Sequence, residues 1–185
     1  MTREPVFTIG HSNRSLAEFI DVLRSADIRL LIDVRRFPAS RRHPQFNIGA
    51  LRDGLNAIGV AYHHFPELGG YRDNTEAQAS SPNDGWPVGF LRNYADYAMT
   101  SAFQAALDRL HRVLEPRTAV MCAEKMWSDC HRQIIADYLI AQGHPVVHLV
   151  DASRREDGRL TPFARPDDNG AIVYPAVRAQ LRLDL

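Results

Sequence analysis

The chain has 185 residues, balances 22 basic against 22 acidic side chains, and is 45% apolar. Its length favours one domain with a sizeable core. Zero net charge excludes a global field that would draw the protein to nucleic acid or membrane, so any anion binding must come from a local cluster.

No run approaches the ~20 apolar residues that cross a bilayer, and the opening MTREPVFTIG has no long apolar core. The expected setting is the cytoplasm, without membrane contact. In a reducing compartment the two cysteines, Cys122 and Cys130, are expected as free thiols or ligands rather than as a bridge. Lys125 is the one lysine among the basic residues, a bias that genome base composition explains.

In chain order, VFTIG (6–10) reads as a short buried strand. Ser15 and Glu18 have capping-box spacing before a helix with Leu16, Phe19, Ile20 and Leu23 on one face. The continuous apolar run IRLLIDV (28–34) predicts a strand buried on both faces. Asn47 is placed to cap a helix bearing Leu51, Leu55 and Ile58, with Gly59 as its stop. VAYHHF (60–65) is a third strand, and its two histidines must face opposite sides. Residues 69–87, rich in Gly, Pro, Ser and Asn, read as a long surface loop, a length uncommon without a role.

Helices follow around 88–99 and 101–114, then a strand TAVMCA (118–123), a helix over 129–142 stopped by Gly143, and a strand PVVHLV (145–150). His144 and His148 read as ordinary surface or strand residues. From Asp151 the chain turns polar, and AIVYPAV (171–177) is an edge strand or a docked tail. The organisation expected is an α/β domain over 1–165 with a C-terminal tail, 166–185, docked on it. Strand–helix alternation predicts a Rossmann-like, mostly parallel sheet of five or six strands between helices.

In open sheets of this kind ligands bind beyond the carboxyl ends of the strands. His11, Ser12 and Asn13 follow the first strand, Arg35 and Arg36 the second, Glu67, Gly69 and Gly70 the third, and Cys122, Ala123 and Glu124 the fourth. The chemically capable residues therefore collect at one edge.

The segment AVMCAEKMWSDCHRQ (119–133) concentrates that chemistry. With Ser128 as cap, Cys130 and His131 fall in a first helical turn, where dipole and free N–H groups favour a thiolate. Burial competes evenly with this reading, because Cys130, Ile134 and Tyr138 form one helical row and His131, Ile135 and Leu139 the next. A metal held by Cys122, Cys130 and His131, with His11 as fourth ligand, is disfavoured. The spacing C-x-E-x5-C-H lacks cysteine pairs two to four residues apart, so no metal and no cofactor are expected. Nor is it the phosphatase pattern of Cys followed by five residues and then Arg.

DVRRFPASRRHPQFN (33–47) is the second informative stretch: four arginines with no acid between Asp33 and Asp53. Guanidinium groups suit carboxylate and phosphate bidentately, which makes the loop a candidate anion site. The alternative is a solvated loop, or Arg35 buried against Asp33 or Glu124. Phe37, Phe46 and Tyr62 are placed either to stack on a base or to pack.

TIGHSNRSLAEF (8–19), DVRRFPASRRHPQF (33–46), GVAYHHFPELGG (59–70) and MCAEKMWSDCHRQIIADYL (121–139), in that order, resemble the domain of unknown function 488 family. The resemblance implies a compact α/β domain, marks these motifs as signature positions, and names no substrate.

The function expected from these readings is an enzyme, a hydrolase or transferase, acting on an anionic substrate such as a nucleotide or nucleic-acid end. Cys122, Glu124, Cys130, His131 and His11 are the catalytic candidates. Ser12, Arg35, Ser40, Arg41, Gly69, Gly70 and Arg132 are the substrate-binding ones. The rivals are a nucleic-acid or nucleotide-binding module without catalysis, and a thiol-based redox or metal-responsive protein.

Overall fold

The structure is a computed structural model that describes residues 3–72 and 81–176. Its main sheet has six strands in the order β3-β2-β4-β1-β5-β6. They are β1 (Val6–Gly10), β2 (Leu30–Asp33), β3 (Ala61–His64), β4 (Thr118–Cys122), β5 (Val146–Leu149) and β6 (Arg155–Asp157). The first five run parallel, and β6 pairs antiparallel with β5 at one edge.

Alternation along the central strands divides the core. Phe7, Ile9, Leu31, Ala119 and Met121 face α1 (Leu16–Ser25) and α2 (Ile48–Asn56), whose Phe19, Leu23, Leu51 and Leu55 they bury. Val6, Leu30, Ile32, Val120 and Cys122 face α3 (Phe90–Ala98), α4 (Ser101–Val113) and α5 (Arg132–Ala141). Period-2 side-chain alternation thus puts Cys122 on the same side of the sheet as α5 and Cys130.

The expected Ser15 capping box is present in full. Asn47 stands at the N-cap of α2, but its side chain accepts the Ser40 N–H at 2.6 Å instead of capping. Ser40 Oγ in turn accepts from His43 N at 3.0 Å, so both residues shape the arginine loop. The helix expected over 129–142 starts at Arg132, with His131 at its N-cap; Ser128 donates to Asp129 and caps nothing.

Residues 73–80 of the expected long loop lie outside the described residues. Its remainder is no exposed span: Asn83 is fully buried, donates to Asp96 Oδ1 at 2.7 Å and accepts from Tyr174 N at 2.9 Å. Ile172–Val173 (β8) pairs with Arg165–Pro166 (β7) in a separate two-stranded sheet, so it is not an edge strand of the main sheet. Tyr174 beside it is buried and donates to Asp137 Oδ2 at 3.0 Å. Position 177 and the rest of the tail are not among the described residues.

Candidate functional site

Register sets the site. Gly10 lies opposite Cys122 and Asp33 opposite Met121, so the chain leaves β1, β2 and β4 at one edge. There His11 N donates to Cys122 O at 3.0 Å and Ser12 N to Ala123 O at 2.7 Å, extending the ladder past the strands. The turn after β4 folds across β1 so tightly that a Cβ on Gly10 would stand 1.7 Å from Glu124 O. Only glycine leaves room for that approach.

Inside this turn two thiols and a carboxylate meet. Cys122 Sγ lies 2.8 Å from Cys130 Sγ, and Glu124 Oε2 accepts from the two sulfurs at 3.1 and 3.2 Å. Cys130 precedes α5, whose first N–H, on Arg132, donates to its sulfur at 3.5 Å; His131 Nδ1 is also 3.5 Å away. Both cysteines are free and fully buried. Glu124 is exposed as a residue while its carboxylate turns inward.

Burial pushes the Cys122 thiol up, and the neighbouring Cys130 adds to the rise. Burial acts on Cys130 in the same direction, but there the hydrogen bond with Cys122 and the nearness of His131 and Arg132 outweigh it. Cys130 is therefore the member that gives up its proton first. Burial and then Cys130 raise the Glu124 carboxyl.

Next to this cluster is a cleft of about 220 Å³ lined by Arg35, Arg36, Phe37, Gly70, Tyr71, Phe90, Ala123, Glu124 and His131. His131 is buried, and its Nε2 has no hydrogen-bond partner among the described residues. Buried polar atoms are almost always paired, so an unpaired one on a residue of the cleft wall is informative. Phe37, Tyr71 and Phe90 are 68%, 61% and 41% exposed, which makes three of the large exposed apolar side chains neighbours at one mouth. A larger hollow of about 630 Å³ opens at the amino ends of the strands, among Arg3, Glu4, His111 and His144. The smaller cleft lies at the carboxyl ends, where ligands bind in such sheets, and Glu124 and His131 in its wall contact the thiols.

The expected site residues sort into three groups. Glu124, His131, Arg35 and Gly70 line the cleft, with Cys122 and Cys130 directly behind. Gly70 is there for close packing, since a Cβ on it would meet His131 Nδ1 at 2.2 Å; Gly69 is held likewise against the Arg36 backbone.

A second group holds the loops. Arg35 forms a buried ion pair with Asp33 through Nε and Nη2, the shortest contact 2.6 Å, and Nη2 also donates to Phe46 O. Arg132 is buried, with Nη2 on the Glu124 carbonyl at 2.7 Å and on the Lys125 carbonyl at 3.2 Å. These contacts direct its guanidinium to the turn rather than to a ligand.

The third group lies apart from the cleft. His11 stacks on Phe46 with ring centroids 4.3 Å apart, and burial lowers its pKa to about 4. Ser12, at φ 52°, donates to Asn13 Oδ1 at 3.3 Å, and Arg41 is exposed and engages no described residue. Tyr71 and Phe90 were not among the expected site residues. Phe90 reaches the cleft from the start of α3 and Tyr71 from a loop, and exposed positions carry no periodicity. Phe37 was named for stacking, and Arg36 for its place after β2.

The chain is thus a mostly parallel α/β domain with a Cys–Glu–Cys cluster and a histidine-lined cleft at the carboxyl ends of its strands. A family profile described as domain of unknown function DUF488 matches residues 15–139, and the chain belongs to that family. No curated protein and no solved structure matches it. The match takes in the arginine loop and the cysteine segment, while His11 and Ser12 precede it. Among the described residues no helix is long and apolar enough to cross a membrane.

Proposed function

We propose that the chain is an enzyme acting on a nucleotide or nucleic-acid end bound in the cleft, with His131 Nε2 as the atom that moves a proton. One observation carries this reading. His131, whose Nε2 has no partner among the described residues, shares its cleft with Arg36, Glu124 and three exposed aromatic rings. Aromatic faces take a base, and guanidinium groups take a phosphate. A buried imidazole at the floor supplies the acid–base group such a substrate needs. Cys130 Sγ, 3.5 Å from Nδ1, orients the ring, as does Gly70 packed against it.

Equilibrium dialysis with a nucleoside monophosphate and with a short single strand tests the reading. Saturable binding is expected, weakened about tenfold by Phe37→Ala and by Arg36→Ala. Absence of binding, or binding indifferent to both substitutions, overturns it. His131→Gln separates enzyme from module: it keeps binding and abolishes conversion of the bound nucleotide. The exposed aromatic mouth also suits a module without chemistry, and that reading takes over if the wild-type chain binds every such probe and converts none.

A further inference from the structure

We propose that Cys122 Sγ, Cys130 Sγ and Glu124 Oε2 bind one divalent transition-metal ion, zinc by the chemistry of the donors. The three atoms lie within 4.8 Å of one another and converge from the end of β4, the following turn and the residue pair before α5. Two thiolates with one carboxylate are a soft-to-borderline donor set that suits zinc and not magnesium or calcium.

The spacing C-x-E-x5-C-H lacks the close cysteine pairs of structural zinc sites, which is why the sequence argues against a metal. The fold overrides that argument. Glu124, two residues past Cys122, supplies the third donor, and the turn returns Cys130 to the same point. In a tetrahedral zinc site the ligand atoms stand about 3.5 to 3.8 Å apart. The two S–O separations, 3.1 and 3.2 Å, are slightly shorter, and the sulfurs at 2.8 Å must part by about 1 Å to seat the ion. Both sulfurs belong to free cysteines, so no covalent bond opposes the movement.

The surroundings are built for such an ion. Arg132, itself buried, ties the carbonyls of Glu124 and Lys125 and so fixes the turn that carries the carboxylate. Charge closes as well: three anionic ligands face a divalent ion and the buried guanidinium of Arg132. Binding expels the protons that remain on the thiols. Three protein ligands is the number found in catalytic zinc sites, which keep a fourth position open. His131 Nδ1, 3.5 Å from Cys130 Sγ, is a further donor beside it, and Glu124 lines the cleft while reaching the sulfurs. The metal site stands on this geometry alone and holds whether or not a nucleotide occupies the cleft.

The test uses the whole chain, purified under reducing conditions without chelator. Elemental analysis is expected to find about one zinc ion per chain. After stripping, added Co2+ is expected to give a thiolate-to-cobalt charge-transfer band in the near ultraviolet. Cys122→Ser and Cys130→Ser should each remove that band with the circular dichroism unchanged. Added Zn2+ should raise the melting temperature of the wild-type chain, a readout that needs no variant. The cobalt band decides: its absence from the reduced wild-type chain, with no zinc-dependent rise in melting temperature, overturns the proposal. Nucleotide binding measured on the same preparation reports separately on the function of the cleft.

Discussion

The arginine loop and the cysteine segment are both dense in polar side chains, and the structure treats them in opposite ways. In the loop several conspicuous groups are spent on the fold, although Arg41 is exposed and engages no described residue. Arg35 pairs with Asp33, Tyr62 OH donates to the same carboxylate at 2.8 Å, and His64 Nε2 meets Arg35 O at 2.8 Å. Ser40 and Asn47 serve each other. In the cysteine segment, by contrast, two thiols crowd one carboxylate, and His131 Nε2 and Arg132 Nε are buried without partners among the described residues. Satisfied polar groups hold a structure together, whereas unsatisfied and mutually perturbed ones mark a place where something binds or reacts.

That contrast is broken most severely at Asp33. Asp33→Asn leaves the Arg35 guanidinium buried without its counter-charge, which costs about 3–5 kcal/mol. A loss of that size lowers the melting temperature of a chain this long by about 10 °C. Thermal unfolding followed by circular dichroism measures it, and a loss within about 0.5 kcal/mol, the range of ordinary surface changes, contradicts the structural role given to the pair.

The acid response of stability sharpens the picture next. Burial lowers both His11 and His148 to about 4, while the unfolded chain titrates near 6.5. The unfolded state therefore binds more protons between pH 4 and 6.5, so stability is full above 6.5 and falls as the pH drops, by about 3 kcal/mol per histidine. Asp137, raised by burial to about 6, works in the opposite sense and recovers part of the loss as it takes up a proton. Denaturant titrations between pH 4.5 and 7.5 are expected to show a net decline towards acid, shallower in His148→Gln; a flat profile contradicts it.

Gly70→Ala probes the cysteine side. The new methyl falls 2.2 Å from His131 Nδ1 and must displace the ring. We expect nucleotide conversion to drop by at least about tenfold with a stability cost of about 1–3 kcal/mol from overpacking. Unchanged conversion would remove His131 from the chemistry. The smallest effect on stability is expected at Phe37, which is 68% exposed: Phe37→Ala should shift it by no more than about 0.5 kcal/mol while weakening base binding.

Much of this arrangement can be read from the residues, and the gaps have physical causes. Continuous apolar runs mark β1, β2, β4 and β5, because strands buried on both faces need apolar residues throughout. β6 escapes such a reading: Arg155–Asp157 is a charged three-residue edge strand with no apolar pattern. Strand order is not local information, so neither the insertion of β4 between β1 and β2 nor the resulting meeting of Cys122 with α5 is legible from spacing. Local rules mislead where a side chain has a better partner elsewhere, as Asn47 does in Ser40. The motif Cys122, Glu124, Cys130, His131 is visible as a cluster, whereas its division into cleft lining and buried layer follows from burial alone.

The measurement that bears most directly on the account is a nitrogen-15 NMR titration of the histidine rings with a nucleoside monophosphate. The account predicts that the Nε2 resonance of His131 moves with saturation while those of His11 and His148 stay in place. A shift at His11 with His131 silent would contradict it and transfer the binding site to the arginine loop.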